Sequence, residues 1–404
     1  MSARSAPGET IRHAGASVLR QALLDSRQDT LATFAVFEAA LADRGLAVPC
    51  DPALNPPLWE LGHIGWFQDH WIGRNSQRLL GTRADPQASR SPPVRDDADA
   101  LYNSSLVAHP RRWQLPLPDA DRTRAELAQV LARTLDLLPT EDQTQALYFH
   151  RLALLHEDMH HEAALYMAQA LGIAIADSRW QATPLPAPAA ALTLPAGAWP
   201  LGSAEAGFAF DNESERHAVQ TGACAIDAQV LRWVEYLPFV EAGGYEQAPG
   251  WTPEGLAWRQ SHGLHCPRYL RREAGAWQQW RHGGWTALDT ALPACHLSQH
   301  EALAWCAWAG RRLPSEAEWE RAACTAGDDF TWGQVWEWTA SPFLPYPGFV
   351  PHPYVDYSAP WFGSRAVLRG ASFGTQPRLR HPRYRNYFPA DRNDIFAGFR
   401  TCAS

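Results

Sequence analysis

The first 178 residues carry the spacing of amphipathic helices, and the remainder does not. From Ser17 to Leu46 the run LRQALLDSRQDTLATFAVFEAAL sets Leu24, Leu31 and Phe34 near the helical repeat, which predicts one buried face. A second helix is predicted from Pro57 to Arg74, with Pro57 in the first turn, where a missing N–H is harmless. A third is predicted from Arg122 to Leu138 and a fourth from Thr140 to Leu171. Four long helices with short or moderate connections predict a bundle, a form that builds metal sites from facing side chains.

The pattern then breaks. Residues 179–197 are rich in Pro and Ala and read as a linker. Over residues 198–404 Gly, Trp, Tyr and Pro rise, helical periodicity fades, and short strands and turns are expected. Two helices stand out there, Ser298 to Ala309 and Ser315 to Ala323. The second opens on a capping pattern, Ser315 followed at the third position by Glu318. The predicted fold is therefore α plus (α+β): a four-helix bundle, then a loop-rich α+β domain without tandem repeats.

Composition narrows the class. A chain of 404 residues is long enough for two domains, and 46% hydrophobic with 19% charged residues is globular, not disordered. Nineteen Trp point to a core or pocket rich in amphipathic aromatics. A net charge of −8 argues against nucleic acid as a partner, because phosphate neutralisation needs a basic face. The Arg-rich pieces, Arg268 to Arg272 and Arg378 to Arg385, are short and read as solvated or ion-paired. The seven cysteines are scattered, odd in number and free of any CxxC, as expected of a reducing compartment. The N-terminus lacks an apolar signal core and no apolar run reaches membrane-spanning length, so a cytoplasmic protein without membrane contact is expected.

The strongest chemical signal is LLHEDMHHEAALYM. His156 and His160 are four apart on a predicted helix and share one face, so two imidazoles can hold one ion. Read literally the segment is HExxH, a zinc-protease motif. The extension expected of that class is missing: Ala163 and Tyr166 stand where Gly and a third His are needed. No downstream Glu ligand follows before the linker. A third ligand is expected from PPLWELGHIGWFQDHW, where His63 lies among Trp59, Trp66 and Phe67, with His70 as its competitor two turns on. Three neutral imidazoles suit Zn(II) or Fe(II) and leave positions open on the ion.

PPLWELGHIGWF and HEDMHHE resemble the two metal-ligand motifs of the ergothioneine- and ovothiol-type sulfoxide synthases. FDNESERH, FVEAGGY, AWCAWAGRRLPSEAEWERAA, GQVWEWTASPF, VLRGASF and AGFR resemble, in order, the formylglycine-generating-enzyme fold, a C-type-lectin-like architecture. The resemblance covers nearly the whole chain and implies a DinB-like bundle first. It implies that His63, His156 and His160 bind Fe(II), and that Tyr354 and Tyr357 of PYVDYS are the active-site tyrosines. Tyr354 is then the donor of a proton or electron to the O2-derived species. RYRNYFPADRNDIFAGFR resembles the segment closing over a histidine betaine. Asn386, with Asn393 as the fallback, is expected to bind the betaine carboxylate. Trp336, Trp338, Tyr387 and Phe388 are expected to face its trimethylammonium, which is attracted to aromatic rings. No catalytic cysteine pair is evident, so formylglycine generation itself is not expected.

Three departures bear on the chalcogen donor. Met159 replaces a Gln between the ligand histidines. Tyr387-Phe388 replace a Trp-Asp pair whose Asp helps bind γ-glutamylcysteine. HPRRWQLPLPD replaces an Arg-rich stretch, leaving Arg111 and Arg112 at a different spacing. A dicarboxylate donor needs paired cations, so fewer donor charges are expected. The selenoneine synthases, a branch using 1-seleno-β-D-glucose with hercynine and O2, fit best. An ergothioneine-type enzyme joining hercynine to γ-glutamylcysteine or cysteine is the alternative, followed by an ovothiol-like one. A non-enzymatic ligand binder with a structural metal is the remaining class.

Overall fold

The computed structural model describes residues 7–139, 145–203 and 207–403. A short helix α1 (Pro7–His13) leads into α2 (Ala16–Ala40), α3 (Pro57–Gln68), the short α4 (Ala98–Tyr102), α5 (Ala120–Asp136) and α6 (Tyr148–Leu171). The four long helices are those the sequence predicts. Helix α2 ends at Ala40, short of the expected Leu46, because a 3-10 turn and the left-handed Gly45 (φ 58°) redirect the chain. Helix α3 runs on into a wider π turn, Asp69–Gly73, so the predicted Pro57–Arg74 stretch winds almost without interruption. Asp119 caps α5 by accepting a hydrogen bond from the Arg122 N–H at 2.8 Å. The expected start of the fourth helix, from Thr140 onward, lies outside the described residues; α6 is described from Tyr148 and stops on left-handed Gly172.

The second half is α+β. Helices α7 (Trp233–Glu241) and α8 (Pro253–Ser261) escaped prediction. Helices α9 (Gln299–Ala309) and α10 (Glu316–Thr325) did not, and both begin with reciprocal caps, Ser298 with Glu301 and Ser315 with Glu318. One mixed sheet orders Asn386–Phe388, Ala366–Gly370, Trp336–Pro342 and Ala397–Gly398, with only the last pairing parallel. A second sheet pairs Leu192–Leu194, inside the Pro/Ala-rich stretch, with Cys224–Ile226 and then Cys402–Ala403. No helix among the described residues is long and apolar enough to cross a membrane.

The two halves share one core. Trp59, Phe67 and Leu152 of the bundle belong to the same apolar cluster as Trp233, Trp336 and Phe399. Buried polar contacts reinforce the seam, and they converge on α6. Asp158 takes two hydrogen bonds from Arg378, at 2.8 and 2.6 Å, and Glu162 accepts from Trp336 Nε1 at 2.8 Å. The helix bearing the HExxH pattern is therefore clamped from both halves, and its inward face is held in register with the second domain.

Candidate metal centre and substrate cavity

Helix pitch brings His156 and His160 together, and α3 supplies the third ring. The possible ligand atoms of His63, His156 and His160 all lie within 4.8 Å of one another. The Nε2 atoms of His156 and His160 are 3.2 Å apart. Two nitrogens bound at about 2.1 Å to one ion stand roughly 3.0–3.4 Å apart, so this pair already has a ligand spacing.

Each ring is oriented by its surroundings. Nδ1–H of His63 donates to the Tyr102 carbonyl at 2.8 Å, which leaves the lone pair on Nε2. Gly62 permits this approach, since a Cβ there would collide with the Tyr102 ring. Nδ1 of His160 meets the Glu60 carboxylate, again leaving Nε2 for an ion. His156 stacks on Phe67 with ring centroids 3.5 Å apart. Burial, with the neighbouring imidazoles, pushes His63 down to about 3 and His156 well below the usual histidine range. Both rings are therefore neutral at pH 7, as ligands must be. Burial acts to raise Glu60, but its electrostatic contact and hydrogen bond with His160 outweigh this and hold the carboxyl at about 2. This donor set suits a divalent iron or zinc ion.

His70, the competing candidate, points elsewhere: it packs tilted against Trp66 with centroids 5.0 Å apart and accepts from Arg90 Nε at 3.4 Å. His161 pairs with the Thr33 hydroxyl at 3.0 Å. Glu157, the would-be protease base, is bound by Arg27 at 2.8 and 3.2 Å, on a face turned from the ligand rings.

Beside His160 opens a cavity of about 260 Å³ between the halves. Met159, Trp336, Asn386, Tyr387 and Phe388 line it together with Tyr357, so five of the expected substrate residues and one of the expected active-site tyrosines converge there. Tyr354 sits next to the ligand rings, 6.3 Å from His156 and 5.9 Å from Tyr357 between centroids. Burial raises its phenol above the usual range and keeps it protonated. The Tyr357 and Tyr384 hydroxyls are 3.1 Å apart, and Tyr387 donates to the Tyr357 carbonyl.

Four of the expected substrate residues are not brought to this cavity. Trp338 is fully buried in the core and donates to the Leu297 carbonyl at 2.7 Å. Asn393 is buried behind the cavity and accepts from Arg268 at 3.3 Å. Arg111 is exposed and reaches only Gln114. Arg112 stacks 3.9 Å over Trp59 and donates to Asn55, on the far side of Glu60. No arginine or lysine side chain appears among the described lining residues. Arg392, behind Phe388, is engaged with Asp394 at 2.6 and 2.7 Å.

Sequence reasoning missed Glu60, Glu162, Tyr166 and Tyr384. Glu60 lies three residues before His63 on α3, but the ring it meets is 100 positions away, so local spacing gave no signal for it. Its role predicts a result: Glu60→Gln should weaken metal binding by about 10–100-fold, as loss of such outer partners does elsewhere. Competitive chelator titration measures this; unchanged affinity would show that the carboxylate does not orient His160.

The fold and site together define a helical bundle whose three clustered histidines could hold one ion, facing a cavity floored by a mixed α+β domain. The DinB superfamily matches residues 21–168, and the sulfatase-modifying factor enzyme 1-like domain matches residues 179–334 and 330–404. Hercynine oxygenase of Mycobacterium tuberculosis is 31% identical, with 89% of this chain and 93% of that protein covered. Hercynine oxygenase of Mycolicibacterium smegmatis is also 31% identical, over 87% and 91%. Formylglycine-generating enzyme of Streptomyces coelicolor is 26% identical over 48% of this chain and 80% of its own. The chain belongs to the hercynine oxygenase family, the ergothioneine-type sulfoxide synthases.

Proposed function

We propose that this chain is an iron(II)-dependent enzyme that uses O2 to join hercynine to 1-seleno-β-D-glucose through a carbon–selenium bond. The observation that carries this reading is the convergence of three imidazoles beside an aromatic cavity with no cation among its described lining side chains. The relatives named hercynine oxygenase support hercynine as the acceptor. The lining supports the donor. γ-Glutamylcysteine brings two carboxylates, which are costly to enclose unpaired. A sugar needs hydroxyl partners and aromatic faces, and Tyr357, Tyr384, Tyr387 and Phe388 supply both.

His63, His156 and His160 would hold the iron, which when bound supplies open coordination positions and the redox capacity to reduce O2. The overall change is balanced: the imidazole C–H and the Se–H are lost, one oxygen atom goes to selenium, and the other leaves as water. Tyr354, protonated at its phenol oxygen, is the proton donor. The Asn386 Oδ1 accepts from the Tyr387 N–H at 2.9 Å, which leaves Nδ2 to donate to the betaine carboxylate. Trp336, Tyr387 and Phe388 face the trimethylammonium. All seven cysteines are free, in keeping with work in the cytoplasm.

The test is anaerobic loading with Fe(II), then O2 and hercynine with competing donors, read by mass spectrometry. A selenoglucose adduct of hercynine is expected. Preference for γ-glutamylcysteine or cysteine would overturn the donor, and absence of O2 uptake would overturn the activity.

A further inference from the structure

The bundle holds a second, smaller cavity that the chemistry above does not use. It runs along the seam of α2, α3 and α6, and its apolar wall is made by Phe34, Phe37, Leu61, Ile64 and Met167. All five are buried. Its volume is about 30 Å³. One water needs roughly 10–15 Å³, so the seam has room for about two waters or a single diatomic molecule.

Two features separate it from an ordinary packing defect. The first is its position. Glu60 and His160 line it, and His160 also lines the substrate cavity, so that ring is a wall common to both. Ala164, one turn further along α6, is half-exposed like His160 and, lying away from the substrate cavity lining, marks the outer side. The second is its polarity. Glu60 is engaged with His160, and the Thr33 hydroxyl with His161 at 3.0 Å. The Thr30 hydroxyl and Nδ1 of His161 are left as described lining groups without a partner, fewer than a buried water ordinarily uses. A buried water makes about three hydrogen bonds, and dry apolar cavities instead take up nonpolar guests such as xenon.

We propose that the seam cavity is a holding site for an apolar diatomic gas, O2, admitted on the Ala164 side and passed toward the three-histidine centre alongside the His160 ring. The assignment rests on the reading that the centre consumes O2. It implies that O2 reaches the ion from the bundle while the two larger substrates occupy the cavity between the halves, so the three reactants do not compete for one entrance.

Xenon is the probe. Crystals of the metal-free full chain under xenon pressure should show xenon between Phe34, Ile64 and Met167. Ala164→Phe and Ile64→Phe, which fill the seam from its two sides, should lose it. With iron loaded, Ala164→Phe should raise the KM for O2 about threefold or more, with the KM for hercynine and the kcat at saturating O2 little changed. Ordered water in place of xenon in the wild-type chain would overturn the assignment. So would loss of xenon in both variants with an unchanged KM for O2. Absence of O2 uptake by the wild-type chain would instead sink the proposed function, and the O2 assignment with it.

Discussion

Replacing His156 by alanine is expected to abolish iron loading and hercynine-dependent O2 uptake while leaving the metal-free fold nearly as stable. The ring is buried and neutral, and its Nδ1 has no hydrogen-bond partner. Truncation therefore removes an unsatisfied buried polar atom, worth about 1–3 kcal/mol in the variant's favour, along with the stacking contact on Phe67. These opposing changes are of similar size. The metal has no such compensation. Loss of an outer partner alone weakens a site by about 10–100-fold, and loss of a ligand exceeds that. Metal content by mass spectrometry and a thermal scan of the apo chain test both halves of the expectation. Full metal content with full activity would remove His156 from the centre. His160→Ala should differ in one respect: it also takes the imidazole partner from the buried Glu60 carboxylate and leaves it the Asn55 amide, so its apo form should melt earlier.

The second large effect concerns Glu157, the acidic residue of the HExxH pattern. Arg27 grips it through two hydrogen bonds and also donates to Gln68 and to the Leu127 carbonyl. Both side chains of the ion pair are nearly fully buried. Glu157→Ala leaves an uncompensated guanidinium inside the bundle, and breaking such a pair costs about 3–5 kcal/mol. A large fall in the denaturant midpoint is expected. The double change Arg27→Met with Glu157→Leu should recover most of it, because an apolar pair of similar volume avoids the desolvation cost. A catalytic base behaves otherwise: its loss would spare stability and remove activity. That outcome would revive the zinc-protease reading.

Both predictions turn on how little of a histidine's or glutamate's role is local. The long helices of the bundle were legible because apolar residues recur at the helical period over many turns. The caps of α9 and α10 were legible because Ser and Glu three apart satisfy each other's backbone groups. Helices α7 and α8 were missed: each is nine residues long, and Pro238 lies inside the first. Period-two patterning could not separate Trp336 from Trp338. They share one strand, yet one indole meets Glu162 at the cavity and the other a carbonyl in the core.

What the chain determined by itself is the pairing of His156 with His160, because four residues along a helix bring two side chains onto one face whatever surrounds them. The same holds for the neutral, aromatic character of the segments that meet around the cavity. The tertiary structure alone decided that His63 and not His70 joins the pair, and that Glu60 orients a ring 100 positions away. It alone left Arg111 and Arg112 outside the cavity. Such choices depend on which helix faces touch across long stretches of chain, and local periodicity carries no record of that contact.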